Sequence, residues 1–100
     1  MRVSNTRHIT IRVKSELYKL YQIYLVKRDI SMKDDITAHI KRQIENYRIP
    51  KYDEALFSNM EYSKVNFIID KEDYTNYKIA LIKNSTTPTA DIIRYMMSVV

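Results

Sequence analysis

One hundred residues bound the chain to one domain or two very small ones. With no glycine it cannot build the GxGxxG or GxxxxGK[ST] loops that bring a backbone close to phosphate, and with no cysteine it has neither disulfides nor thiolate metal sites. The net charge of +5 is unevenly placed: residues 1–50 carry 11 basic and 5 acidic side chains, residues 51–100 carry 6 and 7, so the first half is the one that attracts a polyanion.

The N-terminal stretch MRVSNTRHITIRV holds no long apolar run of the signal-peptide kind. No segment approaches the roughly 18 consecutive apolar residues of a membrane span. A soluble cytoplasmic protein without membrane association is expected.

The first pattern in chain order is HITIRV, where Ile9, Ile11 and Val13 alternate with His8, Thr10 and Arg12. A period of two with β-branched residues predicts a strand with one buried face. Ser15 and Glu16 open a helix, with Ser15 as its expected N-cap, and Leu17, Leu20, Tyr21, Tyr24 and Leu25 follow at helical spacing to about Asp29. Ser31 is a second N-cap, and Asp34 at the third helical position makes a variant of the capping box. Ile36, Ile40, Ile44 and Tyr47 carry that helix to about Tyr47, and Pro50 marks its end. Residues 49–63 form a connector, in which DEALFSNM could make one or two helical turns.

The order then repeats. Val65, Phe67 and Ile69 alternate with Asn66, Ile68 and Asp70, and Tyr74, Tyr77 and Leu81 follow at helical spacing. Thr87 is an N-cap with Pro88 at the first helical position, where its missing N–H costs nothing, and Ile92, Met96, Val99 and Val100 line the last helix. A shift of 56 residues lays 65–100 over 9–44 without a gap, with eight identities in 36 positions, among them Glu16/Glu72, Tyr21/Tyr77, Leu25/Leu81 and Asp35/Asp91. The apolar columns and the caps Ser31 and Thr87 coincide in the same register, which marks an internal repeat.

One strand and two helices cannot bury themselves, because a lone strand leaves both edges unpaired. Two copies remove that problem. The expected fold is α+β, mostly α: a two-stranded antiparallel ribbon over four helices, with Ile9, Ile11, Val13, Val65, Phe67 and Ile69 inward and His8, Thr10, Arg12, Lys64, Asn66 and Ile68 outward. The units are 1–48 with a basic N-terminal arm, the connector 49–63, and 64–100.

HITIRVKSELYKLYQIYLVKRDISMKDDITAHIKRQI resembles a ribbon-helix-helix unit of the Arc/MetJ/CopG family, and VNFIIDKEDYTNYKIALIKNSTTPTADIIRYMM is similar but less typical. Together they cover about three quarters of the chain. The resemblance implies a ribbon that enters the DNA major groove, with His8, Thr10, Arg12, Lys64, Asn66 and Ile68 touching base edges. Arg12 has the chemistry to hold a guanine and Asn66 an adenine in bidentate fashion, whereas Ile68 departs from the usual polar type and offers only contact with a thymine methyl. It also implies phosphate binding at the N-termini of the second helices, through Ser31, Met32 and Lys33 and through Thr87 and Thr89, where Pro88 removes one donor. Arg2 and Arg7 would add contacts from the arm. A fused pair resembles the TraY-type proteins of conjugative relaxosomes. The uneven charge then implies halves that have diverged and a target that is not a perfect palindrome.

The other chemistry-bearing residues have plainer readings. Tyr18, Tyr21, Tyr24, Tyr74 and Tyr77 could stack on bases, but at helical spacing they read as packing. His8 and His39 have no carboxylate cluster beside them in the sequence, so no metal site is expected. Asp34 and Asp35 complement a helix dipole more simply than they serve as an acid/base pair. There is no Cys/His pair and no glycine-framed serine, so neither an enzyme nor a cofactor is expected. The expected function is sequence-specific binding of double-stranded DNA, as a repressor or as a plasmid transfer or replication accessory factor, with self-association on adjacent sites compatible with it. The alternative is an antitoxin-like protein-interaction module that uses 49–63 as its partner surface.

Overall fold

The computed structural model describes residues 5–51 and 61–100. Its described elements run β1 (Thr6–Lys14), α1 (Ser15–Arg28), α2 (Met32–Glu45), β2 (Tyr62–Asp70), α3 (Lys71–Lys83) and α4 (Pro88–Val99). The chain is α+β and mostly helical, with one two-stranded antiparallel sheet and four helices. Arg2 and the expected turns of DEALFSNM lie outside the described residues.

The strands pair over their whole length, with Thr10 opposite Asn66, Ile9 opposite Phe67 and Ile11 opposite Val65. Thr10 and Asn66 are also equivalent under the 56-residue shift. A residue that faces its own repeat mate can do so only on a two-fold axis, so the repeat is realised as an approximate dyad through the middle of the sheet. Both ends of the ladder obey it: Ser15 N–H donates to the Glu61 carbonyl at 2.9 Å, and Lys71 N–H donates to that of Asn5 at 2.6 Å.

Period-two patterning places Ile11, Val13, Val65, Phe67 and Ile69 in the core, with Ile9 half-buried at the margin. Beneath the sheet lie Leu17, Tyr21 and Leu25 of α1, Ile36 and Ile40 of α2, Tyr77 and Leu81 of α3, and Ile92, Tyr95 and Met96 of α4. The helices interlock across the dyad: α2 packs chiefly on α3, and α1 on α4. Each half therefore covers the apolar face of the other. Leu20, expected at the packed helical spacing, is exposed, as are Ile23 and Val26 on the same helix and Ile79 and Ile82 at the equivalent places on α3.

The local signals for helix ends were partly right. Ser31 Oγ accepts from Asp34 N–H at 3.1 Å and Thr87 Oγ1 from Ala90 N–H at 3.2 Å, as their positions predict. Ser15 is not a cap. It is the first helical residue, Lys14 stands at the cap position, and the Ser15 hydroxyl is instead 2.7 Å from that of Ser63 across the sheet. The equivalent of Lys14 is Asp70, which caps α3 by accepting from Asp73 N–H at 3.1 Å. The second helix stops at Glu45, short of Tyr47, because Asn46 turns to extended backbone and the Gln43 side chain holds Arg48 by both its N–H and its carbonyl.

A buried polar network crosses the dyad, and sequence reasoning missed it. Asp35 is not merely a dipole complement: it is buried and accepts from Tyr21 of its own half at 2.6 Å and from Tyr95 of the other half at 2.8 Å. Asp91 is fully buried and accepts from Tyr77 of its own half at 2.5 Å and, from the other half, bonds to His39 Nε2 at 2.7 Å and Gln43 at 2.9 Å. His39 and Tyr95 occupy equivalent positions and stack on each other at 4.2 Å between ring centroids. Burial works against the Asp91 charge, but bonds from His39, Tyr77 and Gln43 outweigh it and hold the carboxyl below its ordinary range. Burial first, and the neighbouring carboxylates second, push the phenols of Tyr21, Tyr77 and Tyr95 far above theirs. No buried side-chain nitrogen or oxygen among the described residues lacks a partner.

Candidate nucleic-acid interface

The outer face of the sheet is built by the same pleat that buries the core. His8, Thr10, Arg12, Lys64, Asn66 and Ile68 all point away from the helices and are exposed, as strand alternation requires. The register brings these six together in three cross-strand pairs: His8 with Ile68, Thr10 with Asn66, and Arg12 with Lys64. At the centre Thr10 Oγ1 donates to Asn66 Oδ1 at 2.6 Å. The Asn66 amide is thereby fixed with its N–H donors available, while its carbonyl retains only one further lone pair.

Arg12 and Lys64 are the electrostatic feature of this face. Like charges directly opposite each other on a sheet repel. Neither residue has an ion-pair partner among the described residues. The Arg12 guanidinium lies over the Tyr62 ring at 5.4 Å, which restricts a long side chain without neutralising it. Arg7, expected in the arm, is instead a residue of β1. It faces Ile69 in the register and its guanidinium lies over the Tyr74 ring at 5.9 Å, so it is drawn towards α3 and away from the outer face.

The helix N-termini expected to grip anions are placed as follows. Ser31 caps α2, with half-buried Met32 and exposed Lys33 in its first turn; Thr87 caps α4, with Pro88 and exposed Thr89 after it. In each, one of the free N–H groups is already taken by the cap hydroxyl. Lys33 has no counterpart on α4, since its equivalent is Thr89.

The tyrosines divide as packing predicts: Tyr21 and Tyr77 are buried, and Tyr18, Tyr24 and Tyr74 are half-buried against the core. Among the described residues no group of three His, Asp or Glu is gathered as metal ligands, and no helix is long and apolar enough to cross a membrane. His39 and Asp91 are close, but their bond is internal to the core. The signal that could have revealed the network was already in the repeat, where tyrosine and aspartate recur 14 residues apart in both halves. No family model matches the chain, and neither the curated proteins nor the solved structures yield a match.

Proposed function

We propose that the chain is a tandem pair of ribbon-helix-helix units in which the β1–β2 ribbon enters the major groove of double-stranded DNA and reads base edges. The observation that carries this reading is the exposed Arg12–Lys64 pair, two cations held opposite each other on a narrow two-stranded face with no ion-pair partner among the described residues. Their mutual repulsion costs stability in the free protein, and a polyanion relieves it. A two-stranded ribbon has the width of the major groove, and the pleat presents every second side chain to the floor of that groove. The order strand, helix, helix, twice over about a dyad, is that of the Arc/MetJ/CopG pattern which the sequence resembles. On this reading the α2 and α4 N-termini approach the flanking phosphates, and the chain serves as a repressor or as an accessory factor in plasmid transfer or replication.

Binding to a selected duplex, followed by fluorescence anisotropy, is expected to weaken steeply as salt rises, because phosphate contacts release counterions. Arg12→Ala is expected to lower affinity for that duplex by about 1–3 kcal/mol while leaving affinity for unrelated duplex much less changed. Equal losses on both duplexes, or no loss on either, would remove the base-reading role.

A further inference from the structure

The register reveals an asymmetry that neither strand carries by itself. Under the dyad, Arg12 is equivalent to Ile68, and Lys64 to His8. Because the strands run antiparallel, the two cations do not face each other's equivalents; both fall at the same end of the ribbon. Outward at that end are Arg12 and Lys64, with Lys14 and exposed Tyr62 beyond them; outward at the opposite end are His8 and Ile68, with exposed Thr6 and the α3-capping Asp70 beyond them. The difference therefore lies along the ribbon and not between its strands. Arg12 lies four residue steps from His8, roughly 13 Å of strand, and this carries the two ends over base pairs about four steps apart at roughly 3.4 Å each.

We propose that the protein reads a polar DNA site, in which Arg12 and Lys64 together recognise guanine edges in one half while His8 and Ile68 meet the other half with an imidazole and a thymine-methyl contact. The inference rests on the DNA-binding reading above and specifies its target. Guanine presents O6 and N7 as paired acceptors, the pattern that an arginine or lysine matches best. Ile68, 37% exposed, donates no hydrogen bond and meets only an apolar group such as the C5-methyl of thymine. At the dyad, the Thr10–Asn66 bond ties the two strands and separates the two chemistries.

The test is selection of binding sites from a randomised duplex pool by the whole chain and by Arg12→Ala, Lys64→Ala and Ile68→Ala. All three positions are exposed, and circular dichroism checks that each variant keeps the helical content. The expected wild-type consensus has fixed G·C pairs in one half only. Arg12→Ala and Lys64→Ala, 52 residues apart in sequence, are expected to erode adjacent positions of that same half, each lowering affinity for the consensus by about tenfold or more. Ile68→Ala is expected to erode the other half alone. A symmetric inverted repeat, or loss in opposite halves for Arg12→Ala and Lys64→Ala, overturns the polar reading while leaving DNA binding intact. A pool that shows no enrichment overturns DNA recognition itself and this inference with it.

Discussion

At the scale of single residues, the most consequential side chains are the two aspartates in the core. Asp35 and Asp91 are equivalent positions, and each is bonded by a tyrosine from its own half and a ring from the other. Removing one donor leaves a buried acceptor under-satisfied, so Tyr77→Phe and Tyr21→Phe are each expected to cost about 1–3 kcal/mol in urea unfolding. Tyr24→Phe, at a half-buried ring stacked on Tyr21, is expected to cost little. The same bonds set the pH range of stability. The Asp91 carboxyl is held below its ordinary value, so the unfolded chain takes up a proton there before the fold does. Its stabilisation is fully present above about pH 3.9, the unfolded value, and is lost as pH falls below that. Tyr21, Tyr77 and Tyr95 shift the other way, so their contribution is full below about pH 10 and declines as pH rises further. In an alkaline titration followed by tyrosinate absorbance, three of the nine tyrosines are expected to ionise only as the protein unfolds.

Among the elements, the ends of α1 and α3 show how a chain without glycine turns a helix off. Asp29 and Ser85, again equivalent, take positive φ of 53° and 57°, and the backbone N–H groups of Ile30 and Thr86 reach back to Leu25 and Leu81 at 3.1 and 3.0 Å. This is the geometry that a C′ glycine usually supplies. A side chain with a Cβ is strained there by about 1–2 kcal/mol, partly offset by the entropy that glycine would lose on folding. Asp29→Gly and Ser85→Gly are therefore expected to raise stability by up to about 1 kcal/mol each, read as an increase in the urea midpoint at unchanged slope. The helices also differ in kind. Within α2 and α4 the apolar residues share one face, whereas α1 and α3 carry exposed Ile23, Val26, Ile79 and Ile82 opposite a buried face. Helical periodicity read along α1 thus assigned Leu20 to the core, when its apolar residues are too numerous for one face to hold.

For the whole molecule, the crossing of helices between halves decides how it folds. Each strand's ladder partner is the strand of the other half, α2 packs mainly on α3, and α1 on α4, so neither half retains a covered core when the other opens. The chain is expected to unfold in a single transition, with far-UV circular dichroism and tyrosine fluorescence changing together in urea. Two separated transitions would mean that each half keeps a core of its own. The network adds direction to this assembly: His39 meets Tyr95, and Asp91 receives Gln43, a residue whose equivalent on α4 is Val99. Two like halves would place His39 against His39 or leave Asp91 without Gln43, so the core favours the pairing of unlike halves.

Much of this was written into the amino-acid order. Alternation in 9–13 and 65–69 determined the strands and which side chains face outward, because the pleat has a fixed period. Ser31, Thr87 and Pro88 determined where α2 and α4 begin, because capping is satisfied within one turn. Longer-range pairing was decided only by the fold. That Asp35 and Asp91 are buried acceptors, that Ser15 meets Ser63 in place of capping a helix, and that Arg12 shares one end of the ribbon with Lys64 all depend on which residues face each other across the dyad. Periodicity records how a segment divides its own faces, while partners more than 40 residues away are fixed by the geometry of the closed core.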